Sequence, residues 1–504
     1  MDKIGLGTAN WLVIIVYLIA MLGVGLYFTK KAGKNTDEFF TAGGKIPAWA
    51  AGFSIYATTL SAITYMSTPE QAFLTDWSYA AGNIAIFAII PILIYFYIPF
   101  FRKLNVTSAY EYLEVRFGAS LRVVGSLLFI LFHIGRVAIV VYLPTLAITS
   151  VSDINPMLIA SIVGILCIIY TFLGGIEGVI WSDVIQGIIL LGGAILVIGV
   201  GINYINGGFS TIISDALEND KLITAGNFQF GTAAAAIPII FLGSIFNNLH
   251  QYTASQDVVQ RYQTTKSMKE TNKSLWTNGA LALITIPIFY GMGTMLYSYY
   301  SNSGGLPEEV NTSAIVPYFI VTTLPAGVAG LLIAAIFAAA QSTISSSLNS
   351  ISACVITDFK QRFFEKKKGN DVLLARLVVI IAGVLGMTAA LYLVSTNRAE
   401  TWNLFLDITG LFGVPIAAVF ALGILTKRAN TPGVFIGLGT AAIVAYFVQG
   451  TDMTPFAVSM VSFLVSFVVG YLASFVFSDK GKNIKGLTIY TKSEGYADEV
   501  SKAE

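Results

Sequence analysis

Charge is scarce in this sequence, and so are cysteine and histidine. Asp, Glu, Lys and Arg make up 11% of the 504 residues, where soluble domains carry about 25%. Hydrophobic residues reach 55%, and the mean hydropathy is +0.74. That balance excludes a soluble enzyme, a disordered chain and a coiled coil. The charges nearly cancel, 29 basic against 28 acidic, so nothing marks nucleic acid as a partner. The two cysteines, Cys167 and Cys354, lie in apolar stretches, which argues against a disulfide framework. The two histidines, His133 and His250, form no His-Glu-x-x-His pattern, and no base neighbours the serine-rich stretch in sequence. An intramembrane enzyme therefore has no visible machinery. Also absent are the symmetric repeated loops from which channels commonly build filters, any signalling domain, and any sign of an obligatory protein partner.

Long apolar runs are abundant instead. At roughly 20 residues per bilayer crossing there is room for about a dozen. The apolar windows predict helices near 8–28, 47–68, 78–101, 120–148, 155–174, 178–205, 231–254, 275–300, 325–356, 372–395, 401–425, 430–449 and 454–478, thirteen in all. The first run has neither a basic leader nor a small-residue cleavage site, so it is expected to be retained. Basic residues test the count, because they concentrate in cytoplasmic loops. With Met1 outside, the inner loops hold Lys30 to Lys45, Arg102 to Arg122, Arg261 to Lys273, Lys360 to Arg376, Lys427 with Arg428, and the tail from Lys480. Only Lys3, Lys221 and Arg398 fall outside. A missed or invented helix would invert every later loop. The expectation is a multi-pass protein of a plasma membrane, with its N-terminus outside and its C-terminus cytoplasmic.

One basic residue escapes this sorting. Arg136 falls near the middle of the fourth predicted helix. A guanidinium inside a bilayer costs at least a few kcal/mol and must face a partner or a wet cavity. Its partner is either a structural one (Glu70, Asp183 or a backbone carbonyl) or the carboxylate of a substrate. The planar fork suits two carboxylate oxygens, and a neutral sugar or a cation would not need it.

Hydroxyls interrupt two further helices and the end of a third. Nine of them crowd the second helix between Ser54 and Thr68, just before Pro69. So many point to a local break that exposes carbonyls to a cavity. The seventh helix carries the polar run Ser244 to Thr253. These two segments lie five helices apart, the arrangement expected of inverted repeats with binding at the midplane. In the ninth helix Ser342, Ser345, Ser346 and Asn349 share one face. Small hydroxyls there serve either close helix packing or a hard cation such as Na⁺, which prefers oxygen ligands. Asp183 is either an N-terminal stabiliser of the sixth helix or the one anionic ligand of a cation site. Asp407, also within a helix, suggests no role.

These residues resemble the sodium/solute symporter family, which includes sodium–glucose, sodium–iodide and sodium–sialic acid transporters. The matching pieces are Ala57–Pro69, Trp181–Gly187, Asn248–Arg261 and Ala339–Ser350. Within the family, Ala57–Tyr65 and Arg136 are most similar to the bacterial sialic acid symporters. The resemblance implies an all-α fold with a five-plus-five inverted repeat, like that of the leucine transporter. One extra helix precedes the repeat and two follow it. The chain then divides into 1–46 (first helix and loop), 47–205 and 231–425 (the repeats, separated by an outer loop, 206–230), 426–478 (the closing helices) and 479–504 (a cytoplasmic tail).

The resemblance also assigns residues. One Na⁺ would be held by the carbonyls of Ala57, Leu60 and Ala339 and the hydroxyls of Ser342 and Thr343. A second would be held by Asp183, Ser342, Ser345 and Ser346. Thr59, Ser61, Thr64 and Asn83 would line the substrate, with Arg136 on its carboxylate. Thr343 stands where many relatives have serine, and Asn83 where a longer amide is expected. His250 and Gln251 replace the tyrosines that sugar-transporting relatives place at the inner gate, which argues against a neutral hexose. The implied activity is sodium-coupled import of sialic acid (N-acetylneuraminate) by alternating access. Another small carboxylate is the alternative substrate, and an ion channel the more distant alternative.

Overall fold

The computed structural model describes residues 6–32, 36–104, 106–149, 152–229, 236–364, 370–396, 401–449, 451, 453–477 and 484–491. Lys3, Lys34, Lys366, Lys367, Lys368, Arg398 and the tail lysines 480, 482, 492 and 502 lie outside the described residues, as does the start of the seventh predicted helix. Among the described residues ten helices are long and apolar enough to cross a membrane by length and composition.

The first is α1 (Gly7–Ala32). The second predicted helix is two helices, α2 (Ala48–Thr59) and α3 (Ala62–Leu74). Next come α4 (Ala81–Ile92), prolonged through a wide turn to Leu104, then a short α5 (Ala109–Phe117) and a long α6 (Ala119–Thr149). The fifth and sixth predicted helices form one run, α7 (Pro156–Gly201), kinked at Gly175. Gly175 has φ 55° and ψ −169°, a conformation open essentially to glycine alone. A straight run of 46 residues would measure about 70 Å, more than twice the hydrocarbon thickness, so the kink is what fits α7 to a membrane.

After a short α8 (Gly208–Glu218) the seventh predicted helix is broken like the second. α9 (Ile237–Leu249) widens through His250–Ala254, Ser255 is extended, and α10 (Gln256–Gln263) resumes. There follow α11 (Met268–Asn302), a short α12 (Ile315–Thr323) and α13 (Val328–Cys354), which continues to Phe364. The last are α14 (Asp371–Thr396), α15 (Thr401–Ile408) and α16 (Val414–Leu425), joined by a wide turn, α17 (Thr431–Gln449) and α18 (Pro455–Val476). Breaks shorten the second and seventh segments below a span, and the kinked α7 counts once. Those three differences separate the ten long helices from the thirteen windows.

Helix α13 is the axis of the molecule. Every residue from Leu332 to Cys354 is buried. Its alanines and serines let neighbouring backbones come close. At its start, the Asn10 side chain from α1 accepts from the Gly327 and Gly330 amides at 2.7 and 2.9 Å, satisfying N–H groups that a helix start leaves unpaired. A Cβ on Gly330 would lie 2.6 Å from Asn10 Cα, so this junction requires glycine.

The second predicted helix also runs beyond its window of 47–68, through Pro69 to Leu74. Proline removes one backbone bond and crowds the carbonyl four residues back. Helix α11 packs closely against it at Gly293, where a Cβ would stand 2.4 Å from the Pro69 carbonyl.

Candidate functional site

The break in the second segment is local and well capped. Leu60 leaves the helix with φ −85° and ψ 94°, and Ser61 restarts it in extended conformation, its side chain accepting from the Ile63 amide. The last carbonyls of α2 have no partners within their own helix and take them from elsewhere. Ala57 O accepts from Ser342 Oγ at 2.9 Å. Thr58 O accepts from Arg136 Nη2 at 2.8 Å. Ser342 Oγ also lies 3.3 Å from Ala339 O, as does Thr343 Oγ1. Ala57, Ala339, Ser342 and Thr343 are thus brought together beside Leu60, at the break itself. Their donors are all oxygen, which suits a hard cation and not a soft one.

Of the second expected cluster, Asp183 and Ser346 meet through Thr58 and Arg261, partners the sequence did not reveal. Asp183 Oδ2 accepts from Ser54 Oγ at 2.5 Å, from Arg261 Nη2 at 2.8 Å and from Thr58 Oγ1 at 3.4 Å. Ser346 Oγ lies 2.6 Å from the same Arg261 nitrogen and 3.0 Å from Thr58 Oγ1. Ser345 Oγ donates to Ser342 O at 3.0 Å. Asp183 Oδ1 is buried with no hydrogen-bond partner, so the carboxylate retains acceptor capacity. Asp183 sits eight residues past the Gly175 kink, too far inside the helix to stabilise an N-terminus. Asp183 is therefore no N-terminal stabiliser.

Arg136 does face an acid, but neither of those suggested by the sequence. Its Nη1 pairs with Asp257 Oδ2 at 2.9 Å, both side chains being buried. Glu70 instead accepts from Thr312 and Ser313, and Asp183 pairs with Arg261. The carbonyl partner is Thr58. Asp257 opens α10, where a carboxylate is favoured by the helix N-terminus, and it also accepts from Ser255 Oγ at 2.6 Å. His133 lies between Ser347 (2.9 Å) and Ser255 (3.1 Å). A serine–histidine contact therefore exists, away from the residues that line the cavity described next.

A cavity opens between the two breaks. Thr59, Ser61, Thr64, Asn83 and Arg136 all line it. The seventh segment adds Ser244, Asn247, Asn248, His250 and Gln251, and Tyr79, Tyr290, Phe405 and Phe456 supply aromatic walls. Asn83 leans on the Ala282 carbonyl at 3.2 Å. Both amide atoms of Asn247 are buried without protein partners. The Arg136 Nε is likewise unpartnered, and its guanidinium stands 5.9 Å from the Phe405 ring centre. Gly413 makes room for His250, whose ring would lie 2.4 Å from a Cβ there. The aromatic walls had no local sequence signal; Asn247 lay within the polar run Ser244 to Thr253 but could not be told from its neighbours.

An all-helical membrane protein, with a polar cavity where two helices break and oxygen clusters beside it, is built as a secondary transporter. Comparison with known proteins agrees. Residues 39–440 match the sodium:solute symporter family. The chain is similar to the sodium/sialic acid symporter NanT of Aliivibrio fischeri, 45% identical over 95% of each chain. It is 44% identical to the sodium/sialic acid symporter SiaT of Proteus mirabilis, over 94% of this chain and 96% of that one. A solved structure of a Na⁺-coupled sialic acid symporter, substrate-bound and outward-open with a novel Na⁺ site, superposes with a TM-score of 0.87 at 43% identity, covering 95% of this chain and 100% of that one. The chain belongs to the sodium:solute symporter family. It is a sodium-coupled symporter and not an enzyme.

Proposed function

We propose that this symporter imports sialic acid, with two Na⁺ ions accompanying each substrate. The carrying observation is a buried arginine, Arg136, in the wall of a cavity that sets hydroxyls and amides among aromatic and aliphatic side chains. Arginine suits the carboxylate of a sugar acid, and the hydroxyls and amides suit its polyol and acetamido groups. A plain monocarboxylate would leave the Asn247 amide, which has no protein partner, without work. The relatives that are 44–45% identical carry sialic acid in their names, which supports the same choice here.

In this proposal Thr59, Ser61, Thr64 and Asn83 contact the sugar and Arg136 its carboxylate. The first Na⁺ binds Ala57, Leu60, Ala339, Ser342 and Thr343, tying the broken α2–α3 segment to α13. The second binds Asp183, Ser342, Ser345 and Ser346. The fold is taken as thirteen crossings, a five-plus-five inverted repeat with one helix before and two after. The N-terminus is outside and the C-terminus cytoplasmic. Sodium orders the break and so completes the outward-facing cavity. Substrate closes it, and the broken helices then rock against the rest. Low internal sodium empties the ion sites, and the substrate follows.

Two Na⁺ with one monoanion carry a net positive charge, so uptake should rise with an inside-negative potential. The test is uptake of N-acetylneuraminate into proteoliposomes containing the purified protein. Accumulation should require an inward sodium gradient and grow when a valinomycin potential is imposed. Uptake that persists when potassium replaces sodium would falsify the proposal.

A further inference from the structure

Two ion pairs at the centre of the molecule share one helix. Asp257 and Arg261 stand four residues apart on α10, hence on one face. Asp257 pairs with Arg136 of α6 at 2.9 Å, and Arg261 pairs with Asp183 of α7 at 2.8 Å. All four side chains are at most 2% exposed. Thr58 joins the pairs, its carbonyl on Arg136 and its hydroxyl near Asp183. The two residues that α10 engages are the ones assigned above to the transported ions. Asp257 presents to Arg136 the group a sugar acid would present. Arg261 presents to Asp183 a cation, as a sodium ion would.

We propose that Asp257 and Arg261 are internal stand-ins for the two transported ions. They hold Arg136 and Asp183 while the site is empty, and the substrate carboxylate and the second Na⁺ replace them together. The physical reason is charge balance. The four groups are neutral as a set, and removing one member of a buried pair strands the other at high cost. Substrate alone would displace Asp257 and leave it buried without a cation. Sodium alone would displace Arg261 and leave it without an anion. When both bind, the two freed groups face one another across a single helical turn. Arg261 Nη1 already donates there to the Asp257 backbone carbonyl, so the exchange needs little movement of α10. Neither ion is accommodated well without the other, which is thermodynamic coupling between two sites. Asp257 and Arg261 are accordingly positioning residues, acting through Arg136 and Asp183. This inference rests on the roles given to those two residues under the proposed function.

The test measures binding of N-acetylneuraminate to the full-length protein in nanodiscs across a series of sodium concentrations, by calorimetry. At low sodium the logarithm of affinity should rise against the logarithm of sodium with a slope of about two, one for each linked ion. In Asp257→Asn/Arg261→Gln the stand-ins are neutral, the second Na⁺ binds Asp183 whether or not substrate is present, and the slope should fall to about one. A slope of two retained in that variant overturns the proposal and leaves the two-sodium reading intact. A wild-type slope of one overturns both. Should the double variant not fold, Asp257→Asn alone decides. In sodium-free choline buffer it should bind N-acetylneuraminate several-fold more tightly than wild type, because its competitor is gone, while Asp257→Glu should retain the wild-type slope. Equal or weaker binding by Asp257→Asn overturns the proposal.

Discussion

Replacing Arg136 by lysine separates a binding role from a structural one. The guanidinium spends Nη1 on Asp257 and Nη2 on the Thr58 carbonyl, and keeps Nε unpartnered. An ammonium is a single point charge without the planar fork. In the empty site it can stay on Asp257, so no charge is stranded, but once the substrate carboxylate takes that place it offers only a point contact and cannot also serve Thr58. Losing one hydrogen bond to a charged group costs about 1.5–3 kcal/mol. At about 1.4 kcal/mol per decade, affinity for N-acetylneuraminate should fall roughly 10- to 150-fold. Arg136→Ala is a poorer probe, because it abandons Asp257 in the interior at about 3–5 kcal/mol of folding stability. The assay is calorimetric titration at saturating sodium, run beside thermal unfolding of the same sample. Should Arg136→Lys bind within threefold of wild type while unfolding at a lower temperature, Arg136 merely ties α2, α6 and α10 together, and the carboxylate clamp is refuted.

Ser342→Ala removes the hydroxyl that touches both Ala57 O and Ala339 O. The sodium concentration for half-maximal uptake should rise about tenfold, and an unchanged value would displace the first sodium site from this position. Glu114, on α5 outside the spans, is bonded to Arg122 at 2.7 Å and Arg362 at 2.5 Å. Burial pushes its pKa up, but the two guanidiniums outweigh burial and hold it below the usual glutamate value. A depressed folded pKa means the stabilisation is complete above the unfolded value of about 4.3 and is lost as pH falls through the lower folded value. Glu114→Gln should therefore unfold earlier than wild type at pH 7, by about 1 kcal/mol for these partly exposed pairs, and the difference should close below about pH 4. A gap that widens in acid would contradict the pairing.

Much of the site was legible because its signals are local. Hydroxyls crowded into a membrane helix cannot all be buried cheaply, and the break at Leu60 and Ser61 lies among them. A lone arginine in an apolar run must meet something polar, and Arg136 lines the cavity with Thr59, Ser61, Thr64 and Asn83. The end of α3 was not legible in the same way: the apolar window closes at 68, and the helix runs on through Pro69 to Leu74.

By itself, then, the sequence determined what had to be satisfied: helices long enough to span, carbonyls freed at the breaks, and a buried cation in need of an anion. Each follows from the cost of leaving a polar group unpaired away from water. Which anion met which cation was decided only by tertiary structure. Arg136 chose Asp257, 121 residues away, over Glu70 and Asp183. Asp183 was taken by Arg261, 78 residues on. Partner choice depends on the faces that α6, α7 and α10 turn toward one another. Those faces are set by packing around α13, through close contacts between backbones that no spacing along the chain encodes.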